Sequence, residues 1–250
     1  MSDRLQSTRL FVEAALHAHA EIQLDNAGSH YLANVLRRGI GDVVILFNGR
    51  DGAWTAKITE LSKKAVSLKP ISQVAEQVAS PDIWLIFVPI KRARLDFMAQ
   101  KATELGVSKI WPVQSAYGQM KRINDHRLEA NAIEAAEQTE RLDIPEIGAF
   151  ESLTALLSNW PEDRSLIFCD EGEAGATHVL PETILPPLRG KPAAILIGPE
   201  GGFSPDERRM ITDMSQSVAL SLGPRILRSD TAALSALSLY QAYCGDWRSL

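Results

Sequence analysis

The sequence predicts an α/β protein in which a mostly parallel sheet, layered with helices, follows a small β-barrel. Three observations predict it. From residue 83 onward, apolar runs of strand length alternate with stretches of helical periodicity, the pattern of consecutive βα units. Before residue 73 the β-branched runs are separated by short turns, which join antiparallel neighbours. Residues 73–82 are polar and contain Ala79-Ser80-Pro81, a linker composition. The expected division is a barrel over 1–72, a linker over 73–82 and an α/β domain over 83–250.

In the first part, Asp42 to Phe47 is a β-branched run, and Asn48-Gly49-Arg50-Asp51-Gly52 after it has turn chemistry. Ala53 to Ile58 and Ala65 to Leu68 follow as further strands. One short helix is expected from Ser29 to Arg38, with Ser29 as N-cap, Leu32, Val35 and Leu36 at helical spacing, and Gly39 and Gly41 as the stop. In the second part, Ile83 to Val88 is continuously apolar, as in a strand covered on both faces. Leu95, Met98, Ala99, Ala102 and Leu105 give a helix over 92–105 that Gly106 closes. A strand over Lys109–Val113 and an alanine-rich helix over 126–141 come next. Three more strands are expected at Leu166–Asp170, Ala193–Gly198 and Val218–Gly223.

Composition narrows the function. The chain has 250 residues, 45% hydrophobic and 23% charged, which excludes a disordered, collagenous or disulfide-scaffold protein. Its net charge of −5 argues against bulk gripping of nucleic acid. Residues 1–142 nevertheless carry net +2 and residues 143–250 net −7, so an anionic partner is expected on the first part. Cys169 and Cys244 are the only cysteines and have no partners at metal-ligand spacing, which fits a reducing, cytoplasmic compartment. No secretory segment and no apolar run of about 18 residues is present, so no membrane role is expected. The five histidines are scattered, and Asp170-Glu171-Gly172-Glu173 reads as a solvated acidic loop, so no metal is expected. Dinucleotide, P-loop and nucleophile-elbow motifs are absent.

The chemistry is expected at two similar junctions. Ala194 to Ile197 leads into Gly198-Pro199-Glu200-Gly201-Gly202-Phe203, and Ser204-Pro205-Asp206-Glu207 is a capping box with proline at the first helical position. Val218 to Leu222 leads into Gly223-Pro224-Arg225-Ile226-Leu227-Arg228, with a helix starting near Ser229–Thr231. Two Gly-Pro loops at the carboxyl ends of parallel strands make a crevice walled by backbone, the usual place for a ligand in an open α/β sheet. Bare amides and carbonyls suit a planar ligand such as adenine, with Leu196, Leu222, Ile226 and Leu227 against its faces.

These two segments closely resemble the RsmE family, the uracil-N3 methyltransferases of ribosomal RNA in the trefoil-knotted SPOUT class. Lys101-Ala102-Thr103-Glu104-Leu105-Gly106-Val107 resembles that family's central helix, and Glu134 to Arg141 its Ala-Glu-Gln-rich segment. His30 to Arg37, Gly41-Asp42 and Phe47-Asn48-Gly49 resemble its N-terminal PUA-like barrel. The stretch after Arg127 departs from the pattern by lacking an aromatic residue.

The resemblance implies S-adenosylmethionine as cofactor, held bent by the knot loops. It implies a uridine in the decoding region of 16S rRNA, in the small ribosomal subunit, as substrate, and a homodimer whose sites are completed across subunits. The cofactor residues would be Leu196, Ile197, Gly198, Pro199, Gly201, Gly202, Leu222, Gly223, Ile226, Leu227 and Thr231. Ser229 and Thr231 also read as helix caps. Uracil N3 needs a base, or a cation that stabilises charge developing on the flanking carbonyl oxygens. Arg228 and Arg141 are candidates for the cation, and phosphate or surface ion-pair contacts explain them equally well. Glu200 serves as base, holds the methionine amine or ties the turn. RNA contacts are expected from Arg9, Arg37 and Arg38, from Lys91, Arg92 and Arg94, and from Lys121 and Arg122 near Tyr117. Two alternatives stay open: a knotted ribose 2′-O-methyltransferase and a non-catalytic ribosome assembly factor.

Overall fold

The computed structural model of the chain describes residues 8–62, 65–89, 92–169 and 180–248. Lys91, the Asp170–Glu173 run and the side chain of Arg92 lie outside the described residues. Two compact units are present: residues 1–79 with 136–144, and residues 80–135 with 145–250.

The first unit holds β1 (Arg9–Phe11), β2 (Ile22–Gln23), α1 (Asn26–His30), β3 (Val43–Phe47), β4 (Ala53–Leu61) and β5 (Val66–Ala75). The strand order is β1-β3-β4-β5-β2, with β1 parallel to β3 and the other pairs antiparallel. Alternate residues of β3 and β4 point into one core, where Val44, Leu46, Ala56 and Ile58 are fully buried beside Leu32 and Leu68. Strand β5 runs to Ala75, into the stretch read as linker.

The expected helix over 29–38 is corrected in two ways. Its cap is Asp25, whose carboxylate accepts the Gly28 N–H at 2.7 Å, and α1 passes into a π-helical stretch over Tyr31–Val35. Ser29 is buried inside the helix. Its hydroxyl accepts the Val66 N–H at 3.1 Å and donates to the Leu24 carbonyl at 3.3 Å, so β5 claims the oxygen that a cap would have used.

The second unit starts with β6 (Ile83–Phe87), α2 (Arg92–Glu104), β7 (Lys109–Gln114) and α3 (Asp125–Gln138), whose last residues, 136–138, group with the first unit. Then come β8 (Glu146–Ile147), β9 (Glu151–Ser152), α4 (Leu153–Ser158), β10 (Ser165–Cys169), α5 (Pro181–Ile184), β11 (Ala193–Ile197), α6 (Pro205–Thr212), β12 (Ser217–Ala219) and α7 (Ser229–Tyr243). The order is β12-β10-β11-β6-β7-β8, with β9 also beside β7, and every pair is parallel. Period-two alternation sends Leu85, Phe87, Ile195 and Ile197 to a core with Met98 and Ala99 of α2 and Ala233 and Leu237 of α7. Ile86, Phe168, Ala194 and Leu196 face the opposite core, with Leu153 and Leu156 of α4 and Ile211 of α6. Both faces are covered, which is why these strands read as continuous apolar runs.

Strand β12 ends at Ala219, not at Gly223 as expected, because its pairing with β10 stops at Phe168. The residues from Leu220 to Arg228 are thereby free to form a loop at the carboxyl end of the sheet. At the amino end, Arg164 is buried with its guanidinium 3.5 Å from the Trp84 ring centroid, and it donates to Asp82 and to the Ala193 carbonyl.

Candidate functional site

A cleft of about 800 Å³ opens at the carboxyl ends of β10, β11 and β12. One wall is the loop after β11. Pro199 stops the strand there, and its carbonyl accepts the Gly202 N–H at 2.9 Å to close a tight turn. Ser204 then caps α6: its hydroxyl accepts the Glu207 N–H while Glu207 Oε2 accepts the Ser204 N–H, the reciprocal box that the sequence predicts. The other wall is the loop from Leu220 to Arg228. Gly202 at φ +70° and Gly223 at φ +101° occupy left-handed backbone that side chains disfavour. A Cβ on Gly198 would lie 2.8 Å from the Phe203 ring, so glycine lets the backbone and that ring close together.

The expected cofactor residues separate by sheet face and turn geometry. Ile197, Gly198, Pro199 and Gly202 line the cleft on one wall, and Leu222, Gly223, Ile226 and Leu227 on the other. Leu196 does not line it. It is one residue out of phase with Ile197 and is fully buried in the core beside α4 and α6. Gly201 is exposed, with the Tyr117 side chain near its α-carbon, and Thr231 lies on the exposed side of α7 with its N–H bonded to Asp230. Neither lines the cleft. Ser229 is the first residue of α7 and makes no capping bond; the N-cap position belongs to Arg228.

Of the three candidate catalytic residues, Glu200 and Arg228 line the cleft and Arg141 belongs to the first unit. The Arg141 Nε donates to Asp143 at 2.7 Å, and its side chain is nearly buried. Glu200 Oε1 accepts from Arg94 Nη1 at 2.9 Å. Arg94, expected among the RNA-contacting cations, therefore lies at the cleft, where Asp230 approaches its Nε at 3.9 Å. Arg225, Pro224, Ser221 and Cys169 also line the cleft and were not singled out from the sequence. Arg225 had a legible signal, a charged residue inside the second Gly-Pro loop. Cys169 had none beyond its place at a strand end. Burial pushes its thiol up to about 12.

The other expected RNA contacts are spread over both units. Arg9 is half-buried, with its guanidinium 5.2 Å from the Phe47 ring centroid and bonded to the Arg141 carbonyl. Burial holds it below the usual arginine value, partly offset by Glu140 and Glu137. Arg38 donates to Thr8 at 2.7 Å, and Arg37 is exposed at φ +52°. Lys121 and Arg122 are exposed in the loop after β7. Among the described residues, no group of three or more histidine, cysteine or acidic side chains could hold a metal, and no helix is long and apolar enough to cross a membrane.

A sheet covered on both faces, with a backbone-walled cleft at its carboxyl end and a smaller β unit ahead of it, has a counterpart among known families. A family model described as an RNA methyltransferase domain matches residues 78–241, and one described as an RNA methyltransferase PUA domain matches residues 24–71. The class is thus an RNA methyltransferase preceded by a PUA-like domain. The chain belongs to the ribosomal RNA small subunit methyltransferase E family. It is 30% identical to the Rickettsia conorii member over 94% of this chain and 95% of that one. It is 32% identical to a Buchnera aphidicola member over 96% and 95%. Among solved structures, a methyltransferase from Legionella pneumophila with bound SAM superposes with a TM-score of 0.85 at 31% identity, covering 96% of this chain and 99% of that one. The Neisseria gonorrhoeae ribosomal RNA small subunit methyltransferase E, bound to S-adenosyl methionine, gives 0.83 at 28% identity, covering 97% and 100%.

Proposed function

We propose that this chain uses S-adenosylmethionine to methylate N3 of a uridine in the decoding region of 16S rRNA. It does so in the cytoplasm, on the small ribosomal subunit, as a homodimer with the trefoil-knotted SPOUT arrangement of the α/β domain. The observation that carries the reading is the cleft between the two Gly-Pro loops. Its volume of about 800 Å³ is in the range of cofactor sites. Its walls offer backbone groups for the edge of a planar base, while Ile197, Leu222, Ile226 and Leu227 offer apolar surface for its faces. The residues present therefore fit the cofactor that the Legionella and Neisseria relatives hold.

When bound, S-adenosylmethionine supplies an electrophilic methyl group on its sulfonium. The chain's own task is to make uracil N3 nucleophilic. As the N3 proton leaves, charge builds on the flanking carbonyl oxygens, and a guanidinium that stays charged stabilises it. Arg228 is exposed at the cleft wall and suits that task. Arg141 is the second candidate, and its engagement with Asp143 favours Arg228. Glu200 keeps Oε2 as an acceptor, for the N3 proton or for the cofactor's ammonium group. The exposed Arg37, Lys121 and Arg122 would contact phosphates, which positions RNA without reading its sequence.

The test is methyl transfer from labelled S-adenosylmethionine to small subunits from a strain lacking this protein, with nucleoside analysis of the product. N3-methyluridine is the expected product. A 2′-O-methylated nucleoside would overturn the base-methylation reading, and failure to bind the cofactor would leave a non-catalytic assembly role.

A further inference from the structure

Arg94 stands in the first turn of α2, far in sequence from either cleft loop, yet its guanidinium reaches Glu200 on one wall and approaches Asp230, two residues past the end of the other. Nη1 donates to Glu200 Oε1 at 2.9 Å, on the loop after β11. The Nε edge lies 3.9 Å from Asp230 Oδ2, at the start of α7. Together these two ion pairs link the loop after β11 to the helix start that directly follows the second loop. The same side chain borders a small void that Phe87, Leu95, Met98, Ser229 and Asp230 also line.

Stability does not account for this arrangement. Glu200 is more than half exposed and Arg94 about one-third exposed, and such solvated pairs contribute about 0–1 kcal/mol to folding. Position does account for it. A planar fork meets carboxylates along two edges, which an ammonium cannot do. Charge points the same way. Among the described residues, the charged side chains lining the cleft are Arg94, Arg225, Arg228 and Glu200. With Arg94 in place Glu200 is neutralised; without it a free carboxylate stands where an RNA strand has to approach.

We propose that Arg94 is a positioning residue for methyl transfer. It holds Glu200 and the start of α7 in register, so that the two walls stand ready for the cofactor, and it masks the Glu200 charge from the RNA. This rests on the reading of the cleft as the cofactor site. It differs from the role expected of Arg94 from sequence, a contact to an RNA phosphate, because it places the first effect on cofactor binding in the absence of RNA.

The experiment is calorimetric titration of the full chain with S-adenosylmethionine, without RNA, for the wild type, Arg94→Gln, Arg94→Lys, Glu200→Gln, Asp230→Asn and the Arg94→Gln/Glu200→Gln double variant. Arg94→Gln is expected to weaken cofactor binding roughly three- to tenfold with little change in melting temperature. Arg94→Lys recovers part of the loss, through Glu200 alone. The double variant falls no further than the weaker-binding of Arg94→Gln and Glu200→Gln, because the two residues act as one unit. If Arg94→Gln fails to fold, Glu200→Gln and Asp230→Asn each remove one arm and are each expected to weaken the cofactor. Unchanged cofactor affinity in the Arg94 variants, or fully additive losses in the double variant, overturns the proposal. Unchanged affinity together with a salt slope for subunit binding that is shallower by about one would make Arg94 a phosphate contact. A wild type that does not bind S-adenosylmethionine would instead overturn the reading of the cleft.

Discussion

Glu207 Oε1 accepts the backbone N–H of Ala116 at 2.7 Å, while its Oε2 accepts the Ser204 N–H at 2.9 Å. One nearly buried carboxylate thus closes the capping box of α6 and also ties down the loop after β7, which carries Tyr117 beside Gly201. Glu207→Gln replaces one acceptor oxygen by a donor that faces an N–H. It should cost about 1–3 kcal/mol of stability, read as a lower urea midpoint with an unchanged slope. Cofactor affinity should fall with it, because the Gly198–Gly202 turn leads directly into this cap.

The left-handed glycines separate strain from function. Gly223 at φ +101° lies in the cleft loop and Gly190 at φ +69° in a turn before β11; an added Cβ meets nothing within 4 Å at either. Alanine at each position should cost about 1–2 kcal/mol in backbone strain alone. Only Gly223→Ala should weaken S-adenosylmethionine binding. Equal cofactor affinities in the two variants would show that the loop conformation does not matter to the ligand.

At the amino end of the sheet, Arg164 donates to the Ala193 carbonyl at 2.9 Å and to Asp82 at 2.8 Å while stacking on Trp84. Arg164→Leu leaves the buried carbonyl without that donor and should cost about 1–3 kcal/mol. Asp82 is half exposed and adds little to that figure. Arg164→Lys should recover only a minor part, since an ammonium lacks the planar face and the fork. Guanidinium-chloride melts of both variants give the comparison, and an equal midpoint for lysine and arginine would contradict it.

Alkaline conditions should destabilise the protein. Burial pushes the Cys169 thiol from an ordinary 9.0 up to about 12. Burial, aided by Cys244 and Asp82, pushes the Tyr240 hydroxyl from 10.0 up to about 12. In the unfolded chain both groups release their protons first, so above their ordinary values the unfolded state binds fewer protons and is favoured. Stability is therefore fully present below about pH 9 and declines as pH rises toward 12. Thermal melts across that window test the sign. Cys169→Ser/Tyr240→Phe should flatten the decline.

Arg228→Ala should keep cofactor binding and lose most single-round turnover, at least about tenfold if a charge-stabilising contact is removed. Measured together, calorimetry and a single-turnover methylation assay separate the two effects. Undiminished turnover would remove Arg228 from the mechanism and return attention to Arg141.

Local chemistry was legible in the sequence. The capping box from Ser204 to Glu207 with Pro205 after it, the strand over Lys109–Gln114 and the helix ending before Gly106 all depend on residues within one turn of each other. The partners of Arg94 lie more than a hundred residues away, and no spacing rule connects them. The start of α1 was misplaced for the same reason: Ser29 has a cap's chemistry, but Val66 takes its hydroxyl. Leu196 and Ile197 look alike in sequence, and only the choice of sheet face puts one in the core and the other on the cleft.

By itself, the sequence determined the alternation of strands and helices and the two Gly-Pro loops, because periodicity, proline and glycine act through short-range sterics; the class of protein came from the resemblance of those loops to a known family. Only the tertiary structure decided which of those residues share a cleft. It paired Arg94 with Glu200 and Asp230, moved Leu196 out of reach and placed Arg225 on the wall. Such contacts arise when a parallel sheet brings the carboxyl ends of distant strands side by side, an order set by the packing of the whole domain and by no single segment.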